Sequence, residues 1–353
     1  MNRPVPDQDQ SLFAAMDQLV RQMGADPEVF RGKLLREIVH TTAKLQQDRA
    51  DGGEVKLISR SLKELRYALK VFRPYRKVRK IAIFGSARTP KEHPDYLVAS
   101  EFAHLMANAG WMVITGAGDG IMRAGHSGAG KKQSFGVSIR LPFETNANEF
   151  IAGDPKLITF RYFFTRKLMF MWQSHAVALF PGGFGTQDEG FEALTLIQTG
   201  KAPLVPIVCV DPPGGDYWTH WDNYVSHSLR DYGWIDSEDQ NLYRIFDNPA
   251  AAAEHVHDFY RNYHSQRFVR DTLVLRMFRE LTAIQLQSIN KEFSDLVQAG
   301  RIEQGGPLND EKAYLELPRL YFEFTKQSYG RLRLLIDRIN YFDRKNTPDL
   351  PRY

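Results

Sequence analysis

The 353-residue chain points to an α/β protein: a doubly wound parallel sheet with helical extensions at its N- and C-terminal ends. Two patterns carry that expectation. Between about residues 78 and 264, short apolar runs alternate with amphipathic helical stretches, and glycine-rich turns close three of those runs. Outside these bounds, apolar residues recur with helical spacing instead. Three zones follow: 1–77, a helical extension; 78–264, the α/β domain; and 265–353, a second helical extension.

In the first zone, Asp26-Pro27-Glu28 opens a helix carrying Phe30, Leu34, Leu35, Ile38 and Val39. Ile58, Leu62, Leu65, Leu69 and Phe72 are spaced 4, 3, 4, 3, which draws one apolar stripe along a helix that Pro74 ends. In the second zone the strands are Ile81–Phe84, Trp111–Thr115, Phe135–Ile139, Leu157–Phe160, Ala176–Phe180 and Leu204–Val210. Nearly all their residues are apolar, as expected of parallel strands covered by helices on both faces. In the third, Met277, Leu281 and Ile284 share one helical face, and Leu332, Leu335, Ile336 and Ile339 form another. Gly305-Gly306-Pro307 separates the two.

Hydrophobic residues at 43% and charged residues at 25% match a globular protein. The formal charge is only +4, but Leu57–Lys80 holds nine Lys/Arg and one acid, Glu64. That local +8 leaves −4 for the remainder, so a mildly acidic body carries a basic belt. The belt lacks a recognised DNA-binding motif and reads as a solvated helix face, able to attract a nucleotide or another anionic effector. One cysteine, Cys209, excludes an intramolecular disulfide framework and a Cys-built metal site. No run approaches the ~18 apolar residues of a membrane span. With no apolar h-region in MNRPVPDQDQ, the expected compartment is the reducing cytoplasm.

Three glycine-rich turns follow strands: Gly85-Ser86-Ala87-Arg88, Gly116-Ala117-Gly118-Asp119-Gly120 and Pro181-Gly182-Gly183-Phe184-Gly185-Thr186. Glycine lets backbone approach a phosphate, and the following helix offers unpaired N–H groups. In succession, such turns favour a phosphorylated or nucleotide ligand. The second turn lacks G-x-G-x-x-G spacing, and no acid closes the next strand, which ends at Arg140-Leu141-Pro142. A P-loop is absent too. Glu189 and Glu192 share a face early in the helix after the third turn, where the helix dipole favours an ionised carboxylate. Thr186-x-x-Glu189 also reads as a capping box. Upstream, Arg161, Arg166 and Lys167 punctuate an aromatic helix and need anionic partners, supplied either by a ligand or by a carboxylate such as Glu189.

Pro181–Glu189 fits PGGxGTxxE, and Arg166-Lys167-Leu168-Met169 precedes it by about fifteen residues. Together with Thr115–Met122, this resembles the LONELY GUY (LOG) proteins, long described as possible lysine decarboxylases, over about residues 78–264. The resemblance implies a Rossmann-like fold, at least a homodimer, and hydrolysis of nucleoside 5′-monophosphates to free base and ribose 5-phosphate. By the same resemblance, Arg166 and Glu189 are the catalytic pair. Gly182, Gly183, Gly185 and Thr186 bind phosphate; Gly85, Ser86, Gly116, Gly118, Gly120 and Lys167 line the nucleotide. It implies no metal and no cofactor. Substrates in that family range from cytokinin nucleotides to general purine and pyrimidine nucleotides such as AMP. Two departures stand out: Ser174-His175 before the PGG strand, and Gly190 where an aliphatic residue is common. A pyridoxal-phosphate decarboxylase fits poorly, since Lys167 beside Arg166 is a poor Schiff-base lysine. A non-catalytic nucleotide or cofactor carrier is the alternative, because molybdenum-cofactor carriers share such loops.

Overall fold

Three helices open the chain in the computed structural model: α1 (Asp7–Gln22), α2 (Phe30–Gln47) and α3 (Gly52–Phe72). The structure describes residues 7–141 and 147–346, in two units, Met1–Arg66 and Tyr67–Tyr353. Within the first unit, α1 and α2 are joined by an Asp17–Arg36 ion pair at 3.0 Å and a Phe13–His40 ring contact at 4.9 Å. Gly32 is required there, because a Cβ would lie 1.8 Å from the Asp26 carbonyl oxygen. The expected stripe on α3 exists, but Ile58, Leu62 and Leu69 remain 40–45% exposed. Phe72 is covered, stacked on Phe135 at 4.4 Å, and a 3-10 turn at Arg73–Tyr75 then ends the helix at Pro74.

The second unit runs β1 (Lys80–Phe84), α4 (Pro94–Asn108), β2 (Met112–Thr115), α5 (Ile121–Ala129), β3 (Ser134–Ile139) and β4 (Leu157–Phe160). It continues with α6 (Phe163–Gln173), β5 (Ala176–Leu179), α7 (Phe184–Gln198), β6 (Ile207–Val210), α8 (Tyr217–Tyr224), β7 (Tyr243–Phe246) and α9 (Pro249–Phe259). The seven strands form one parallel sheet ordered β4-β3-β2-β1-β5-β6-β7. β1, β2, β5 and β6 are buried along their whole lengths, so helices cover both faces and the doubly wound, Rossmann-like sheet is observed. From β1 the chain winds outward to β4, then returns to lay β5 on the other side of β1. Strand order therefore reverses between β1 and β5, which opens a crevice at their carboxyl ends. The edge strand β7 was not expected; its Arg244 and half-exposed residues hide it from a search for continuous apolar runs. Of the turn at Arg140-Leu141-Pro142, Pro142 lies outside the described residues.

The C-terminal zone departs from the helical expectation. β8 (Tyr263–Val269) and β9 (Thr272–Met277) precede α10 (Ala283–Glu292); β10 (Glu303–Gly305) and β11 (Arg319–Glu323) precede α11 (Tyr329–Asn346). The strands make an antiparallel sheet, β10-β11-β9-β8. Met277 ends a strand, Leu281 lies in the following loop, and Ile284 is 80% exposed, so their helical spacing was coincidental. The consecutive buried run Leu273, Val274 and Leu275 is the strand signal. On α11 the expected face is real: Leu332, Leu335, Ile336 and Ile339 are fully buried.

Candidate functional site

All three glycine-rich turns meet at the carboxyl ends of β1, β2 and β5. Ser86 N–H donates to Pro181 O at 3.0 Å, and Ile121 N–H donates to Ser86 O at 3.0 Å. The first turn is thereby stitched to both others. The packing leaves no room for side chains at the seams. A Cβ at Gly85 would sit 2.6 Å from Ile121, and one at Gly120 would sit 2.2 Å from Ser86 O. Gly120 also has φ +60°, which glycine adopts without strain. Gly183 and Gly185 differ, since a Cβ there would meet nothing within 4 Å. Their backbone faces open space at the start of α7.

The second turn is held from behind by two residues the sequence reading passed over. Asn148 Nδ2 donates to Ala117 O at 3.1 Å and Gly118 O at 2.9 Å. His126 Nε2 donates to Phe135 O at 3.0 Å, leaving an unprotonated Nδ1 facing the Asn148 amide, 3.1 Å from its Nδ2. Burial pushes the imidazole pKa down, which keeps it in that neutral form. Ala117, at φ +66°, is the strained residue this support maintains. Asn148 lies 30 residues from Gly118 in sequence, beyond the reach of motif spacing, whereas His126 sits in α5 directly after the turn and carried no signal that set it apart from other helix residues.

α6 delivers Arg166 and Lys167 beside α7. Arg166 Nε donates to Val137 O at 2.9 Å, and its Nη1 lies 3.9 Å from Glu189 Oε1. A Cβ at Gly116 would be 2.7 Å from Arg166 Nη2, so the guanidinium rests against the second turn. Lys167 Nζ is held by Asp188 Oδ2 at 2.8 Å and Glu192 Oε2 at 2.9 Å. In this structure it clamps α6 to α7. Arg161 precedes α6 and is exposed.

The capping-box alternative does not form. α7 starts at Phe184 with Gly183 as its N-cap, and no side chain caps it. Two consecutive glycines let the helix begin early, so Thr186 is its third residue and Glu189 lies in the second turn. The dipole effect has faded by there. Glu189 is instead only 6% exposed, and burial pushes its carboxyl up to about 7, against the opposing pull of Arg166 and Lys167. The expected fully ionised carboxylate is therefore corrected to one poised near neutrality.

The two sequence departures are structural. His175, before β5, accepts from Lys80 N–H at 3.3 Å on the sheet edge opposite the glycine turns. Burial, aided by the Lys80 and Arg79 cations, lowers its pKa to about 4, so it adds no charge. Gly190 brings α7 onto β5: a Cβ would lie 3.0 Å from Leu179. The belt is less uniform than its sequence suggests. Lys80 is 1% exposed, and Arg79 lies 3.9 Å over the Tyr260 ring. Among the described residues, no group of three His, Cys, Asp or Glu could hold a metal ion, and no helix is long and apolar enough to cross a membrane.

Residues 118–256 match the family model described as "Possible lysine decarboxylase", which supports the LOG-like resemblance. A search of curated proteins finds no match. Among solved structures, the chain resembles TM1055 with 18% identity and a TM-score of 0.38, over 51% of this chain and 99% of that one. It also resembles the molybdenum cofactor carrier protein of Chlamydomonas reinhardtii, with 18% identity and a TM-score of 0.36, over 51% and 96%. The molybdenum cofactor binding protein of Rippkaea orientalis shares 18% identity with a TM-score of 0.35, over 51% and 94%.

Proposed function

We propose that the chain hydrolyses the N-glycosidic bond of nucleoside 5′-monophosphates, releasing free base and ribose 5-phosphate. The observation that carries this is the convergence of Arg166 and Glu189, 3.9 Å apart, beside the open first turn of α7. The phosphate sits against the N–H groups at Gly183, Phe184 and Gly185, with Gly182, Thr186 and Ser86 shaping the turn. Gly116, Gly118 and Gly120 let the nucleotide approach the second turn, with Lys167 in the background neutralising Asp188 and Glu192.

Binding energy from the phosphate holds the ribose for the chemical step. As the bond to the base stretches, positive charge develops on the ribose, and the Glu189 carboxylate stabilises it. A carboxyl poised near pH 7 also accepts a proton from water as the water oxygen bonds to C1′. The base leaves with the electrons of the broken C1′–N bond and takes up the proton that Glu189 removed from water, which returns Glu189 to its carboxylate. Arg166 holds the nucleotide and orients Glu189. The residues that line the site require no metal or cofactor for this step. The protein acts as a cytoplasmic homo-oligomer. The exposed apolar row Phe164, Leu168 and Trp172 on α6 supports that assembly.

The test is base release from AMP, GMP, CMP, UMP and N6-isopentenyl-AMP by the purified protein. We expect release from at least one, lost by at least ~100-fold in Glu189→Gln. Tight nucleotide binding with no release would leave the carrier reading in its place.

A further inference from the structure

Tyr217, the first residue of α8, is about thirty residues from the glycine motif in sequence, yet it touches the centre of the third turn. Its hydroxyl donates to Gly182 O at 2.5 Å and accepts from Gln187 Nε2 at 2.7 Å. Gln187 can only donate through that nitrogen, so the phenolic proton is committed to the Gly182 carbonyl. Asp211, 2% exposed at the end of β6, accepts Trp218 N–H at 3.0 Å and fixes the start of α8.

The consequence lies in the peptide between Gly182 and Gly183. Across a trans peptide the C=O and the next N–H point in opposite directions. Holding Gly182 O toward Tyr217 therefore turns Gly183 N–H the other way. Glycines flank this peptide on both sides, so it is the one bond in the turn able to rotate end for end with little steric cost. Rotated, it would present a carbonyl oxygen instead of an N–H to an anion.

Resting on the nucleotide reading above, we infer that Tyr217 is a positioning residue that locks the Gly182–Gly183 peptide in its anion-binding orientation. Gln187, at a variable position of PGGxGTxxE, sets the direction of the lock. The pair selects for the 5′-phosphate, because only a phosphorylated substrate uses that N–H.

The experiment compares wild type, Tyr217→Phe and Gln187→Leu on AMP and adenosine, with inorganic phosphate as a competitor. In Tyr217→Phe we expect the KM for AMP and the phosphate inhibition constant to rise by about tenfold, the size of one lost hydrogen bond to a charged acceptor's donor. The kcat/KM for adenosine, which lacks the phosphate, should be unmoved. Gln187→Leu should follow in the same direction with a smaller change. Equal losses on AMP and adenosine, or an unchanged phosphate constant, would overturn the inference. Direct calorimetry of phosphate and AMP separates the two readings. If wild type binds both without turnover, the hydrolase reading falls while the phosphate Kd of Tyr217→Phe still decides this one; if wild type binds neither, both fall. Should Tyr217→Phe melt abnormally, Gln187→Leu carries the test, since it keeps the aromatic ring.

Discussion

Glu189 sets the pH response of the candidate site. Burial raises its carboxyl to about 7, so the ionised fraction grows as pH climbs through neutrality. Base release should rise from about pH 5.5 to about pH 8.5 with a midpoint near the Glu189 value, if the carboxylate acts as base. Stability should run the other way. The folded value lies above the ordinary carboxyl value of 4.5, so the folded state binds the proton more tightly. That contribution is complete below the unfolded value and is lost as pH rises through about 7. Melting curves of wild type and Glu189→Gln should therefore diverge on going alkaline, with the variant gaining relative stability. Parallel curves would show the carboxyl to be solvated. The motif revealed Glu189 as a candidate, but its ionisation depends on neighbours. Helix capping and dipole arguments both assume a helix start at Thr186, whereas Gly182-Gly183 moves it to Phe184.

Between elements, the clamp of α6 on α7 is one lysine shared by two carboxylates. Lys167→Met should leave Asp188 and Glu192 uncompensated beside Glu189. Removing a cation and exposing like charges makes ionisation harder, so the midpoint of the activity profile should move to higher pH, by about half a unit or more. An unmoved midpoint would mean that Lys167 acts on the substrate directly. Elements differ in how openly their sequence declares them. β1, β2, β5 and β6 are continuous apolar runs and were foreseen, as was the buried face of α11. β7 and β8 carry charged or half-exposed residues, and β9 lay under a chance helical spacing. Those strands exist because partners pair with them, β7 with β6 and β8 with β9, and Arg319 of β11 and Arg276 of β9 are further tied through the buried Glu311 at 2.9 and 2.6 Å. Such pairing is long-range information.

For the whole molecule, the question is where charge sits. Arg60, Lys63 and Arg66 fall in the first unit, while Lys70, Arg73, Arg76 and Lys77 fall in the second and are exposed. If these cations attract an anionic nucleotide, neutralising Lys70, Arg73 and Arg76 should lower kcat/KM for AMP several-fold at low salt, with the difference vanishing near 1 M. Equal kcat/KM at low salt would assign them to another partner. Composition and periodicity sufficed for the parallel sheet and the glycine turns, because each is written in local spacing; Arg166 and Glu189 were paired as catalytic residues only through the resemblance to LOG proteins. Strand order was not so written: placing β5 against β1 is what brings Ser86, Gly116 and Gly182 to one crevice. Likewise, only folding could bury Glu189, turn Lys167 into a clamp, and set Asn148, His126 and Tyr217 behind the glycine loops. Local residue type fixes which elements a chain can form; desolvation and hydrogen bonding between residues distant in sequence fix what those elements can do.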